Sequence, residues 1–192
     1  MYNRFHPRAL ACCCAALPLV LAMAPATHPS GAEAPVAPAA ENLLTNGGFE
    51  QSMETWDTSK DNGMSLVAPE AAHNGGFGLR VTDSDGNKGS SLGSVKVPAK
   101  PGKTFKLGFW ARIMSGKDAS VYIQFFDAKD KQINKAADGN AIQIKVSGED
   151  WKEYSGEGTA PDNAATVRVW VHTGNSAKAI ADFDDFVLTE AP

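Results

Sequence analysis

The chain has 192 residues, 43% hydrophobic and 21% charged, which is enough for one ordinary domain with a real core and too few for two comfortable ones. Against 22 Asp and Glu stand 18 Lys and Arg, a net charge of −4. No basic surplus is left to neutralise a phosphate backbone or to dock on an anionic membrane, so nucleic-acid binding and membrane association are both disfavoured.

Met1 to Arg8 carries two arginines and no acid, and Ala9 to Ala24 is uncharged and apolar, the pattern of an export signal that is too short for a bilayer span. Small residues allow cleavage after Ala26 or after Ala32, and both cuts send the mature chain to the periplasm or outside the cell. Cys12, Cys13 and Cys14 all fall inside this leader, too near its start to form a lipidation box. Removing Arg4 and Arg8 leaves 16 basic residues against 22 acids, about −6, in a chain with no thiol. Such an exported domain is held by its core and, where one is present, by a metal. Residues 27–41, rich in Ala and Pro, read as a linker, and residues 42–192 remain for the fold.

From Asn42 the apolar residues mostly alternate, which is the strand period. Strands are predicted at about 43–50, 64–68, 77–83 and 90–98. At 103–113 Phe105, Leu107, Phe109, Ala111 and Ile113 share one face, with Trp110 and Arg112 on the other. At 119–126 Val121, Ile123 and Phe125 oppose Tyr122, Gln124 and Phe126. Further strands follow at about 141–147 and 151–159, then Val167, Val169 and Val171 alternate with Arg168, Trp170 and His172, and a last strand covers 180–189. Turn residues such as Asp61-Asn62-Gly63, Asp85-Gly86-Asn87 and Asp138-Gly139-Asn140 punctuate the series. Asp127-Ala128-Lys129-Asp130 after two aromatic residues predicts a hairpin rather than a helix. Many short strands in one exported domain predict an all-β antiparallel β-sandwich jelly roll.

Residues Asn42 to Glu50, then Trp56, then Ala72-His73-Asn74-Gly75-Gly76-Phe77-Gly78-Leu79-Arg80-Val81, resemble the opening of the galactose-binding-like jelly-roll carbohydrate-binding modules of the family 4, 9 and 22 type. The strand Phe105 to Arg112, the Phe125-Phe126-Asp127-Ala128 hairpin entry, Trp151 to Pro161 and the closing Phe183-Asp184-Asp185-Phe186-Val187-Leu188 keep step with it, so the likeness spans 42–189. That resemblance implies a structural calcium. Carried onto this chain, it nominates the carboxylates of Glu50 and Asp184, with backbone carbonyls near His73 to Gly76, and Asp182 as the alternative to Asp184. Calcium takes six to eight oxygens, and acids distant in sequence become neighbours readily when a dication neutralises them. The competing account makes Glu50 a solvated strand end and gives Asp184 and Asp185 turn hydrogen bonds.

Modules of this kind hold sugars by stacking aromatic rings on the apolar face of a pyranose and by hydrogen-bonding its hydroxyls with planar polar groups. On this chain the residues opposite the apolar rows are Trp110, Arg112, Tyr122, Gln124, Arg168, Trp170 and His172, which have the composition of a glycan cleft if their strands share one sheet. Trp110 and Trp170 have a structural reading too, as residues covered by loops, and Trp56 and Trp151 are expected in that role.

Catalytic machinery is scarce. The mature chain keeps only His73 and His172 besides His28 of the linker, lacks a Gly-x-Ser-x-Gly elbow, and places its acids mainly in turns rather than in facing pairs. The expectation is therefore a non-enzymatic, monomeric, exported module that binds polysaccharide or oligosaccharide. A cell-envelope structural or protein-interaction sandwich without glycan binding is the alternative.

Overall fold

The alternating rows turn inward to a common core and their polar neighbours turn outward. The computed structural model describes residues 40–191, so the expected export signal, the three cysteines and the expected linker up to residue 39 lie outside the described residues. The strands are β1 (Trp56–Asp57), β2 (Ser65–Ala68), β3 (Gly78–Thr82), β4 (Leu92–Ser94), β5 (Val97–Pro98), β6 (Thr104–Ser115), β7 (Ala119–Phe126), β8 (Ile142–Lys145), β9 (Lys152–Thr159), β10 (Thr166–Thr173) and β11 (Ile180–Glu190). Together they form the all-β antiparallel sandwich predicted from the sequence. One sheet has six strands in the order β1-β4-β10-β7-β8, with β5 also beside β10, and the other has five in the order β2-β3-β11-β6-β9.

Between the sheets lie Phe105, Leu107 and Phe109 of β6, Val121, Ile123 and Phe125 of β7, Val167, Val169 and Val171 of β10, and Phe183 and Phe186 of β11, each no more than 1% exposed. Phe105 and Phe125 meet edge to face across the sandwich at 5.8 Å. Burying a large apolar side chain contributes about 1.5–3 kcal/mol, so these rows supply the main stabilisation of a fold without disulfides.

Two strand expectations are corrected. Residues 43–50 form turns instead of a strand, with Asn46 and Phe49 in the left-handed region at φ 57°. Asn46 closes this turn by donating from Nδ2 to the carbonyls of Ser52 and Glu54. Phe49 is thereby driven into the core against Trp56 and Phe186. The single strand expected over 90–98 is two short ones, β4 and β5, which both pair with β10.

After β7 the chain reverses tightly, with the amide of Asp130 donating to the carbonyl of Asp127. The returning segment brings the buried side chain of Asn134 beside β7. Its Oδ1 accepts from the amide of Phe125 at 2.8 Å and its Nδ2 donates to the carbonyl of Ile123 at 2.7 Å, so a side chain substitutes for a neighbouring strand.

Candidate functional site

The register of the six-stranded sheet builds one polar and aromatic surface on its outer face. Trp170 of β10 pairs with Gly93 of β4 on one side and Tyr122 of β7 on the other, and Tyr122 pairs with Gln143 of β8. One step along, Arg168 pairs with Gln124; in the other direction, His172 pairs with Ser120 and Ser120 with Lys145. Tyr122, Gln124, Arg168, Trp170 and His172 thus converge, lining a cleft of 460 Å³ whose rim includes Lys60, Ser91, Gln132 and Lys135. A second depression of 600 Å³ shares Tyr122 and His172 and continues past Ser120 and Gln143 to Lys117, Asp118 and Lys145.

The aromatic floor is fixed by its neighbours. Trp170 and His172 stack with ring centroids 4.3 Å apart and planes 13° from parallel, and Tyr122 leans on Trp170 at 5.0 Å. The indole N–H of Trp170 donates to Ser91 Oγ at 2.9 Å, which fixes the rotation of the ring. His172 Nδ1 faces the carbonyl of Ser90, which can only accept, so Nδ1 carries the proton and Nε2 keeps a lone pair. Burial holds the His172 pKa below its ordinary value, against the raising effects of the Ser90 hydrogen bond and of Asp83, and the ring is neutral at physiological pH. Burial also raises the Tyr122 pKa, so its hydroxyl stays protonated.

Arg168 gives the cleft its one half-buried cation. Its Nε donates to Gln124 Oε1 at 2.8 Å, and its guanidinium lies 5.1 Å from the ring centre of Phe126. Burial lowers its pKa, the nearby charges of Asp57 and Asp130 working the other way. Rings for stacking, a neutral imidazole acceptor, a carboxamide and a guanidinium together suit a ligand that has apolar faces and many hydroxyls.

Trp110 and Arg112 do not join this surface. They lie on β6 in the five-stranded sheet and face outward on the opposite side of the sandwich, so the expectation that all three strands share one sheet is corrected. Alternation assigns a residue to a face of its strand, while sheet membership depends on distant pairing partners. Trp110 stacks on His73 at 3.9 Å. Arg112 donates to Asp182 Oδ2 from Nε at 2.9 Å, while Arg80 grips the same carboxylate from β3 at 2.7 Å and 2.9 Å. Arg112 also lies 4.7 Å over the ring of Trp151. Asp182, fully buried between two guanidinium groups, has its charge compensated without a metal.

Glu50 and Asp184 meet at one loop. The amides of Gly76 and Phe77 donate to Glu50 Oε1 at 2.9 Å and 3.1 Å, and those of His73 and Asn74 donate to Asp184 Oδ2 at 2.7 Å and 3.2 Å. Gly75 has φ +72°, and a Cβ there would stand 2.3 Å from Glu50 Oε1, so the loop needs glycine to pass the carboxylate. Asp184 is buried without a cationic partner among the described residues, and burial raises its pKa despite three backbone hydrogen bonds. Asp184 is thus a buried carboxylate short of positive charge, but the 73–77 loop meets it and Glu50 with amide N–H groups, and its carbonyl oxygens are not what faces them. Among the described residues no three His, Cys, Asp or Glu side chains converge, so backbone oxygens would have to complete any calcium shell. Asp185, which the sequence offered only as a maker of turn hydrogen bonds, accepts from Nδ1 of the neighbouring His73 ring at 2.7 Å from a left-handed backbone.

Sequence reasoning also missed Ser91, Lys60, Gln132 and Gln143. Gln143 was within reach, since it alternates with Ile142 and Ile144. The others arrive on loops, where no period applies.

No curated protein matches the chain. A family model described as a carbohydrate binding domain matches residues 41–178. Among solved structures, a Family 16 Carbohydrate Binding Module-2 is 26% identical, with a TM-score of 0.59 over 78% of this chain and 100% of that one. TmCBM61, solved in complex with β-1,4-galactotriose, is 18% identical with a TM-score of 0.54 over 79% of this chain and 100% of that one. The CBM22-1 xylan-binding domain from Paenibacillus barcinonensis Xyn10C is 17% identical with a TM-score of 0.55 over 81% of this chain and 97% of that one. The last two likenesses concern the fold.

Proposed function

The chain belongs to the carbohydrate binding domain family, and we propose that it is an exported, monomeric, non-catalytic module that binds polysaccharide or oligosaccharide through the outer face of its six-stranded sheet. The observation that carries this reading is the row Trp170, His172 and Tyr122, with Gln124 and Arg168 beside it, along an open cleft. A pyranose stacks its apolar face on the indole, and its hydroxyls meet the lone pair of His172 Nε2, the carboxamide of Gln124 and the guanidinium of Arg168. Structural neighbours solved with galactotriose or described as xylan-binding lend this support. Glu50 and Asp184 would hold a structural calcium that neutralises the buried acid and ties the loop to β11, provided that the 73–76 segment turns carbonyls to the ion in place of its amides. Its part is structural, outside the sugar cleft.

Affinity electrophoresis on β-glucans, xylans and mannans tests the binding. Retarded migration that disappears in a Trp170→Ala variant is expected; no retardation on any glycan, neutral or acidic, overturns the reading in favour of a cell-envelope interaction module. For the metal, chelation is expected to lower the melting temperature and calcium to restore it, while an unchanged melt removes Glu50 and Asp184 from the site.

A further inference from the structure

We propose that the glycan taken by this cleft is acidic, a polysaccharide whose rings carry carboxylates, and that Arg168 is the residue that receives one of them. This rests on the reading of the cleft as a glycan site. The chain as a whole carries more acids than bases, 22 against 18, yet the cleft reverses that balance. Lys60, Lys135 and Arg168 line one half and Lys117 and Lys145 the other, while Asp118 is the one carboxylate among the described lining residues. Elsewhere several cations are paired: Lys96 with Asp130, Lys103 with Glu190, Arg80 and Arg112 with Asp182. Among the described residues the five cleft cations make no such pair.

Arg168 is the most informative of the five. A desolvated guanidinium normally faces a carboxylate, because burying an unpaired charge is costly. Here Asp57 and Asp130 act on the guanidinium only through space; Nε is engaged with the neutral amide of Gln124, and neither terminal nitrogen has a hydrogen-bond partner among the described residues. Gly93 beneath it and Phe126 beside it hold the planar group in the cleft. That leaves a fork of N–H donors whose geometry matches a carboxylate bidentately. The aromatic row lies between the two cationic halves, so a uronate ring stacked on Trp170 has positive charge on both sides along the chain direction.

The test compares glycans that differ only in the carboxylate. Oligosaccharides of β-1,4-mannuronan and β-1,4-glucuronan are titrated calorimetrically into the mature chain beside β-1,4-manno- and cello-oligosaccharides of equal length, with dextran sulfate as a polyanion control. At least one acidic form is expected to bind about tenfold or more tightly than its neutral counterpart, a preference that shrinks as salt screens the lysines. Arg168→Gln should remove most of it. Lys135→Gln with Lys145→Gln, both exposed positions, should reduce it without risk to folding. Equal affinity for acidic and neutral forms overturns the acidic assignment and leaves the glycan module standing. Dextran sulfate binding as tightly as the uronates also overturns it, reducing the cleft to a general polyanion trap. Absence of binding to every saccharide overturns both readings.

Discussion

The guanidinium of Arg168 lies against the backbone of Gly93, so closely that a Cβ on that glycine would stand 2.8 Å from Nη1. β4 contributes no side chain at this point, and the space it leaves is where the cation lies. Gly93→Ala therefore pushes Arg168 away from Gln124. Because the displaced atoms are the end of a flexible side chain, the fold should tolerate the change with a small shift in melting temperature. Glycan affinity should fall about tenfold, equivalent to ~1.4 kcal/mol. Melting curves and calorimetric titration of the same variant separate the two effects, and unchanged affinity would show that the placement of Arg168 is immaterial.

The two tryptophans that look alike in sequence should part company on mutation. Trp110 faces outward from the five-stranded sheet and stacks on His73, the first residue of the loop that meets Glu50 and Asp184. Trp110→Ala removes that stack and part of the loop's support. It should lower stability by about 2 kcal/mol, the scale of a partly buried aromatic side chain with a stacking partner. Cleft affinity should remain at the wild-type level. Denaturant unfolding read beside affinity electrophoresis checks both halves, and a loss of glycan retardation in Trp110→Ala would place sugar on both faces of the sandwich.

The contrast between these residues shows where the sequence is legible. Phe105 to Ile113 and Val167 to Val171 alternate so regularly that their inward faces follow from period alone, and both rows are buried as expected. Period also places Tyr122, Gln124, Arg168, Trp170 and His172 on outward faces. It cannot say that β6 pairs with β11 and β9 while β7 pairs with β10, because those partners lie far away in the chain. Trp110 and Arg112 were grouped with the cleft for that reason. Residues 43–50 misled in the opposite way: Leu44 and Phe49 look like strand residues, but Asn46-Gly47-Gly48 is turn chemistry, and the left-handed φ of Asn46 is what it produces.

Asp182 tests the electrostatics of the far sheet. Its carboxylate is fully buried and receives Nε–H donations from Arg80 at 2.7 Å and Arg112 at 2.9 Å. Removing one member of a buried pair costs about 3–5 kcal/mol, because the remaining charge is left uncompensated. The two arginine side chains are 21% and 23% exposed and recover some hydration, so Asp182→Ala should fall near the lower end of that range. Asp182→Asn keeps an acceptor for one arginine and should cost less. Urea unfolding orders the variants, and Asp182→Ala as stable as wild type would show that the triad contributes nothing net.

His172 should make stability fall on the acid side of neutrality. Burial lowers its pKa in the folded protein, whereas in the unfolded chain the ring titrates near its ordinary value of 6.5. Above that value both states are neutral and the ring adds no pH dependence. As the pH drops below it, the unfolded chain takes up a proton that the folded chain refuses, and the balance shifts toward unfolding until the folded pKa is reached. Its stability contribution is thus complete above 6.5 and lost as the pH falls through the window beneath it. Other groups facing the ring include Asp83, whose carboxylate accepts from Thr173 Oγ1 at 2.6 Å and favours the protonated imidazole, along with Tyr122 and Trp170, neither of which titrates there. Replacing the imidazole by the non-titrating amide in His172→Gln should therefore flatten the acid side of the stability profile. Melting temperatures of wild type and variant measured from about pH 7.5 down to about pH 5 check this: the wild type should lose more, with the gap opening below 6.5. Parallel curves would mean that the folded ring takes up a proton as readily as the unfolded one, and with it that Nε2 does not remain the acceptor assigned to it in the cleft.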